Sequence, residues 1–357
     1  MSERQAGPDP ATVAAPAFER EPATVAAPAF GPDHPEARTP ARAPRSIRRT
    51  SAIDTARPDG LDGDALMEGH ARDLLTRADG STEASEAAVW ARVGGLSRLL
   101  AEIRTVPARP ALTGLVGAMV GPGFRGRVDQ LLGDERDHRT LLYLLLDDLP
   151  GAALVSGYAL LQAGAVGSHH DGYLDAAVDQ CAGWAAEGGM MTFIRREQRA
   201  PVPRGPAAPA LAGDDDERAW HALGVLTPHG MRRARRIDVR SPAPSGGPFE
   251  VDAFFRDSHV DGDGRESVVH EYGVTATVDG TERTVVDIAA TADVLPWAEC
   301  PAAVDSAARI IGRPLADLRP WVRRNFTGTT TCTHLNDTLR GLADVDVLID
   351  RLVAEGV

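Results

Sequence analysis

The sequence contains no lysine, so all 38 of its basic side chains are arginines. This usage is typical of a GC-rich bacterial genome and indicates no particular mechanism. Only 5% of the residues are aromatic, which predicts a core built from alanine, valine and leucine. The 51 acidic residues give a formal net charge of −13. Because a protein that tracks phosphates or anionic lipids needs a basic face, we expect neither nucleic acid nor membrane as a partner.

Cysteine is also scarce, with Cys181, Cys300 and Cys332 as the three thiols of 357 residues. Three cysteines cannot form a disulfide framework, and the N-terminus lacks the apolar stretch of a secretory signal, which together predict a cytoplasmic protein. Residues 150–168 carry no charge, but their glycine and alanine content favours a buried helix over a membrane span. The sequence has no phosphate-binding loop, dinucleotide fingerprint or serine-nucleophile elbow.

The first part of the chain is predicted to be disordered. Residues 1–46 are rich in proline and alanine, and the octapeptide at residues 11–18 recurs at residues 23–30. The composition offers no pattern that could bury a core. We therefore assign no site to this tail.

A longer repeat predicts an internal duplication. A shift of 184 positions aligns residues 48–80 with residues 232–264 at ten identities in 33 positions, far above chance for this composition. We predict a degenerate first copy at 47–150 and an intact second copy at 230–357. The interval 151–229 is predicted to be a helical segment followed by an interdomain linker, because residues 201–209 are rich in proline. The ten identities begin Arg48/Arg232, Arg49/Arg233, Ile53/Ile237 and Asp54/Asp238, and include Arg72/Arg256 and Asp73/Asp257.

The second copy predicts an α+β fold, in which an antiparallel β-meander is followed by packed helices. Asp-Gly turns and Pro/Gly clusters separate the β-rich stretches, and leucines at spacings of three and four residues mark the last helix. The arginine-rich run at 232–240 is interpreted as a solvated strand entry. The predicted strands are 236–240, 249–256, 270–278 and 284–290, and the predicted helices are 301–311, 315–326 and 333–354.

The candidate chemistry lies near the C-terminus. Cys300 and Cys332 each precede a predicted helix, where unpaired amides favour a thiolate, and His334 follows Cys332 by two residues. His270, on a predicted strand, is the candidate fourth ligand. Thiolates combined with imidazoles suit zinc or an iron–sulfur cluster far better than magnesium or calcium. We therefore predict a metal site formed by Cys300, Cys332, His334 and His270.

Two other roles for these residues stay open. They could line the pocket of a module that binds a small molecule or a protein without metal. Alternatively, Cys332 could be the nucleophile and His334 the base of a thiol enzyme, although positions i and i+2 of a helix point apart.

Three further motifs carry less weight. Cys181 is assigned to packing, and residues 169–171 (His-His-Asp) to a glycine-rich turn. The loop that starts at Asp257 is not a calcium loop, because its twelfth position is Val268. Residues 261–264 are instead predicted to form a hairpin turn.

The strings at 231–233, 270–272, 295–301 and 332–337 resemble a bacterial family of unknown function marked by a Cys-Thr-His-Leu motif. The resemblance covers about a third of the chain and implies no activity. The order of strands, Cys300, Gly312-Arg313-Pro314-Leu315 and Cys332 also looks like that of NifU-type iron–sulfur scaffold proteins. This chain departs from that type in having no cysteine in its early strands. The likeness implies a metal- or cluster-binding protein of scaffold type, whose partner is an unidentified protein or small molecule.

Overall fold

The computed structural model describes residues 39–165, 177–197, 201–213, 215–242 and 247–355. Most of the predicted disordered tail, residues 1–38, lies outside the described residues. Residues 39–45 belong to the folded body, in contrast to the prediction. The Thr39 hydroxyl donates a hydrogen bond to the carbonyl of Leu211 at 2.5 Å, and Nε of Arg42 lies 2.7 Å from Oδ2 of Asp216.

Eight antiparallel strands form a single sheet with the order β4-β3-β2-β1-β5-β6-β7-β8. Each half of the sheet is a meander of consecutive strands, as predicted for the second copy. The strands are β1 (Ser46–Ala56), β2 (Ala65–Thr76), β3 (Thr82–Val93), β4 (Leu100–Val106), β5 (Met231–Arg240), β6 (Phe249–Val260), β7 (Glu266–Val278) and β8 (Val285–Val294).

The two meanders join in the middle of the sheet, where β1 pairs with β5 from Ser46↔Arg240 to Thr55↔Met231. This pairing hides one edge of each meander, and unpaired edges are where sheets otherwise aggregate. Both halves therefore share a continuous sheet and are not separate bodies joined by a linker.

Helices follow each meander in the chain, which confirms the predicted α+β class. The last predicted helix is divided by a short 3-10 turn, and the first helix after β8 is itself a 3-10 helix. The α-helices of the described residues are α1 (Phe124–Leu131), α2 (Gly133–Asp137), α3 (Leu141–Val155), α4 (Gly157–Gln162), α5 (Gly189–Glu197), α6 (Leu315–Asn325), α7 (Thr333–Gly341) and α8 (Val345–Ala354), and the 3-10 helices are Pro110–Leu115, Ala182–Trp184, Cys300–Ile310 and Leu342–Asp344.

Residues 150–162 of the charge-free stretch lie in the segment of α3 and α4, and residues 166–168 fall outside the described residues. The helical segment Leu141–Gln162 is long and apolar enough to cross a membrane, but 78% of its most apolar window is buried inside the protein. It packs in the apolar core of the first half, beside residues such as Val89 and Phe124. This burial favours the predicted core helix over a membrane span.

The arginine-rich run is not solvated, so that interpretation is wrong. Arg232, Arg233, Arg235 and Arg236 are all buried in β5. Each pairs with a carboxylate that is distant along the chain. For example, Nε of Arg235 lies 2.5 Å from Oδ2 of Asp148 in α3. A buried guanidinium needs such a partner, since an unpaired buried charge is strongly unfavourable.

Ion pairs repeat with the 184-residue spacing of the sequence. Nε of Arg48 lies 2.6 Å from Oδ1 of Asp238, and the equivalent Arg232 lies 2.7 Å from Oδ1 of Asp54, so the two pairs cross the β1–β5 junction in opposite directions. These matched contacts support the predicted duplication, which stays a prediction together with its domain boundaries.

The proline-rich segment packs on the sheet and does not span two domains. The amide of Val268 donates to the carbonyl of Pro206 at 2.9 Å, and the amide of Ala208 donates to Glu266 at 3.0 Å. Gly205 permits the approach, because a Cβ there would overlap the carbonyl oxygen of Val268. Proline's fixed backbone suits such an extended edge segment.

Candidate functional site

A cavity of about 520 Å³ lies where the end of β1, the α3–α4 junction, the Ala182–Trp184 turn and the start of α7 meet. All four predicted ligands, Cys300, Cys332, His334 and His270, line it. The tertiary structure therefore brings together residues that lie up to 64 positions apart in the chain. The third thiol, Cys181, lines the same cavity.

Cys332 and His334 face each other despite their spacing of two residues. Cys332 is the residue before α7, and its extended backbone (φ −127°, ψ 131°) places it outside the helical spiral. Its Sγ lies 3.7 Å from Nδ1 of His334. The rule that helical positions i and i+2 point apart does not apply here, because only His334 is helical.

His270 reaches the same place from β7 and stacks on His334. The ring centroids are 3.6 Å apart, and the ring planes differ by 21°. Two imidazoles this close would repel each other if both were protonated to the positively charged form. Burial, followed by the charge of His270, lowers the pKa of His334 well below its usual range, so this ring is neutral and has a free lone pair at pH 7.

Asp257 on β6 connects both rings. Its Oδ2 lies 3.3 Å from Nδ1 of His270 and 3.6 Å from Nε2 of His334. Among the described residues, Asp257, His270 and His334 form a group whose potential metal-binding atoms all lie within 4.8 Å of one another. Sequence reasoning missed Asp257 as a site residue. Its identity with Asp73 across the repeat marked a shared ion pair with arginine, and nothing in the sequence connected it to the two histidines.

Arg233 holds Asp257 in place. Nε of Arg233 donates to Oδ1 at 2.8 Å, and Nη2 donates to Oδ2 at 3.0 Å. Asp257 is fully buried, and burial alone would raise its pKa, yet the Arg233 charge and the neighbouring His270 imidazole lower the pKa well below the usual value. The carboxylate is therefore ionised throughout the neutral range.

The three thiols pack near one another at the cavity wall. Cys300 begins the 3-10 helix Cys300–Ile310, and a Cβ on Gly183 would lie 2.7 Å from its Sγ. Gly183 thus lets the segment that carries Cys181 approach Cys300. This contact is why Cys181, which the sequence assigned to packing, also belongs to the cavity lining.

The prediction that Cys300 and Cys332 are thiolates is wrong for the metal-free protein. Burial raises the pKa of Cys332 to about 11, and burial with the neighbouring sulfurs raises the pKa of Cys300 well above its usual value. Burial likewise raises the pKa of Cys181. Desolvation outweighs the helix amides here, because a helix terminus contributes only about 1 kcal/mol. A bound cation would reverse this balance, since metal coordination deprotonates thiols.

The remaining sequence candidates lie outside this cluster. Residues 169–171 fall outside the described residues. The turn at Asp261 is a plain hairpin, as predicted: Oδ1 of Asp261 accepts the amides of Asp263 and Arg265 at 3.0 Å each.

Residues 231–348 match a family described as a protein of unknown function, DUF2889. The matched span covers β5–β8 and the helices up to the start of α8, and it contains Cys300, Cys332, His334 and His270. None of the curated proteins matches the chain, and no solved structure does so. The comparisons thus support the expected family of unknown function for this third of the chain. They do not support the Cys-Thr-His-Leu string as its signature or the likeness to NifU-type proteins.

Proposed function

We propose that this protein binds a metal ion, with zinc as the best match, through Cys332, His334 and His270, and that the ion faces the adjoining cavity. The observation that carries the proposal is that one oxygen of Asp257 approaches a nitrogen of each of the two stacked imidazoles, while the other nitrogen of His334 approaches the Cys332 thiol. In metal-binding histidines, the N–H of the second ring nitrogen typically donates a hydrogen bond to such a carboxylate.

Asp257 fits an orienting role better than direct coordination. Both of its oxygens already accept hydrogen bonds from Arg233. A cation placed on Oδ2 would lie close to that guanidinium and be repelled by it. The Nδ1 atom of His334 faces the thiol of Cys332 instead, at 3.7 Å from Sγ. The ion is therefore expected on the thiol side, with Asp257 fixing the tautomer and the orientation of both rings.

The donor set selects the class of metal. Thiolate and imidazole favour zinc over magnesium or calcium, which prefer oxygen ligands. An iron–sulfur cluster is the alternative occupant, because Cys181 adds a third thiol to the same wall. Three free, buried cysteines also accord with the reducing cytoplasm expected from the sequence.

The role of Cys300 separates a structural from a reactive metal centre. With Cys300 as fourth ligand, the ion would be closed off, as in structural zinc sites. With three ligands, one position would face the cavity, as in catalytic zinc sites. Cys300→Ser is expected to lower the metal content to the level of Cys332→Ser in the first case and to preserve it in the second.

Elemental analysis combined with an absorption spectrum, on protein purified without air, tests the proposal. We expect about one zinc per chain and its loss in Cys332→Ser and His334→Gln. His221→Gln is the matched control, since His221 is also a buried imidazole but contacts Thr50 rather than the cluster. Wild-type protein that is folded and metal-free even after zinc is added would contradict the proposal.

One further arrangement supports a second candidate, a thiol enzyme. Cys332 Sγ, His334 Nδ1, His334 Nε2 and Asp257 Oδ2 form a continuous series with separations of 3.7 and 3.6 Å. This order of nucleophile, base and orienting carboxylate is that of cysteine hydrolases. The raised pKa of Cys332, about 11, favours the metal instead, because a nucleophilic thiol needs a lowered pKa.

A further inference from the structure

Arg57 lines the same cavity with donors that the protein leaves unpaired. It follows the end of β1, and its Nη2 donates to the hydroxyl of Ser156 at 3.2 Å. Its Nε and Nη1 atoms are buried and have no hydrogen-bond partner among the described residues. Burial lowers the pKa of Arg57, and no carboxylate of the described residues offsets the effect. Buried donors normally have a partner in the protein, in ordered water or in a ligand.

The charge of the cavity lining is opposite to that of the chain. The chain has 51 acidic residues, yet among the described residues that line the cavity there is no aspartate or glutamate, whereas Arg57 and Arg98 both line it. No ion pair involves either arginine within the described ranges, although most arginines of this protein pair with a carboxylate. A low-dielectric pocket with unpaired positive charge attracts an anion.

The rest of the lining is mainly apolar. Trp184, Trp297, Met190, Leu160 and Val269 contribute to it, and its volume of about 520 Å³ lies within the range typical of small-molecule sites. An inorganic anion would leave these side chains in contact with water. The lining therefore matches a ligand with a charged end and an apolar body.

We propose that the cavity binds a small organic carboxylate, with its carboxylate group on Arg57 and its apolar body against the tryptophan- and leucine-lined wall. A carboxylate fits better than a phosphate, because only Arg57 offers buried unpaired guanidinium donors here and a dianion would need more. Only the position of this ligand beside a metal ion rests on the proposed function. Binding itself depends on Arg57 and does not require the ion.

Paired ligands that differ only in charge test this assignment by titration calorimetry. The probes are benzoate, 3-phenylpropanoate and octanoate, each compared with its neutral amide, and inorganic phosphate. At least one carboxylate is expected to bind at least ten-fold more tightly than its amide and than phosphate. Arg57→Gln is expected to remove the preference for the carboxylate, whereas Arg127→Gln, at an exposed position of α1, preserves it.

Three results would overturn the assignment: equal binding of every acid and its amide, no binding of any carboxylate, or a preference that persists in Arg57→Gln. Tighter binding of phosphate would instead identify an inorganic anion site. Each titration is run on metal-loaded and chelator-treated protein, with the metal content measured separately. A protein that binds zinc but no carboxylate contradicts this inference alone, and one that binds carboxylate without ever holding metal contradicts the proposed function alone.

Discussion

Arg233 and Asp257 form a doubly hydrogen-bonded ion pair at 2.8 and 3.0 Å, and the same pair recurs 184 positions earlier as Arg49 and Asp73 at 2.7 and 2.9 Å. The two aspartates differ in their neighbours on the next strand. Asp73 pairs with Ser85, whereas Asp257 pairs with His270. The ion pair is thus common to both halves of the sheet, and the imidazoles are an addition in the second half.

Replacing either aspartate should destabilise the fold, but only one replacement should affect the metal. Asp257→Asn and Asp73→Asn each remove one of two carboxylates from a buried arginine, because Arg233 keeps Asp337 and Arg49 keeps Asp344. The lost charge-assisted hydrogen bonds cost about 1–3 kcal/mol in each variant. Asp257→Asn should also weaken zinc binding about 10- to 100-fold, because it removes the group that orients both imidazoles. Urea unfolding and competition with a zinc chelator measure the two effects.

Asp73→Asn is the control for Asp257→Asn, since it should leave zinc affinity unchanged. Equal losses of affinity in both variants would show that the metal responds to general destabilisation and not to the orientation of the rings.

Stability of the metal-free protein should fall as the pH drops below about 6.5. Burial lowers the pKa of His259 to about 4 and of His221 to about 3, and it lowers the pKa of His334 well below its usual value. The unfolded chain binds these protons near pH 6.5, so between pH 6.5 and 4 it takes up more protons than the folded chain. Each histidine then lowers the free energy of unfolding by about 1.4 kcal/mol per pH unit. The three together give a slope of about 4 kcal/mol per pH unit between pH 5.5 and 4.

Urea titrations at several pH values between 7 and 4.5 measure this slope. His221→Gln should reduce it by about 1.4 kcal/mol per pH unit. A free energy of unfolding that stays constant from pH 6.5 to 4.5 would show that these imidazoles are not held neutral.

The thiols of the metal-free protein should react slowly. A pKa of about 11 for Cys332 leaves about 100-fold less thiolate at pH 8 than in an ordinary cysteine, and the side chain is buried. A colorimetric thiol reagent should detect three thiols rapidly in denaturant and fewer than one in the same time in native protein. Rapid, selective modification of Cys332 in native protein would instead favour the thiol enzyme.

Gly205→Ala should detach the proline-rich segment from the sheet. A methyl group at this position would overlap the carbonyl oxygen of Val268, and overpacking of this kind costs about 1–3 kcal/mol. Limited proteolysis should then cut the chain near residues 201–209 more rapidly than in wild type. Gly126→Ala is the matched control, because a Cβ there meets no atom within 4 Å and alanine favours its helix. Equal proteolysis of both variants would contradict the packing described here.

Much of the fold could be predicted, because local patterns determine it. The Asp-Gly turns, the Pro/Gly clusters and the β-rich stretches between them identified all four strands of the second half, although β5 begins five residues earlier than predicted. The early residues of β5 are arginines, whose charge suggested exposure. Their carboxylate partners lie on other strands and helices, so the sequence could not indicate that they are buried.

The candidate site was predicted in part. The scarcity of cysteine and the helix-start positions identified Cys300 and Cys332, and their spacing and predicted strand added His334 and His270. The structure places all four at one cavity. Cys181 was assigned to packing because it lies outside both repeats. Asp257 was noted as an identity of the repeat and as the start of a rejected calcium loop, and not as a site residue. Arg57 could not be distinguished from the other arginines without knowing which of them lack a partner.

The sequence alone determined which residue types were available: an acidic chain, three thiols, a repeat and the α+β pattern. These features depend on composition and short-range periodicity, which do not require the folded state. Only the tertiary structure decided which charges pair and which remain unpaired. Pairing across the sheet neutralises Arg233 with Asp257 and aligns two imidazoles on that carboxylate, and it leaves Arg57 facing a cavity without an acid. Those distances arise from strand register and helix packing between residues far apart in the chain, and that is why they set the chemistry of the site.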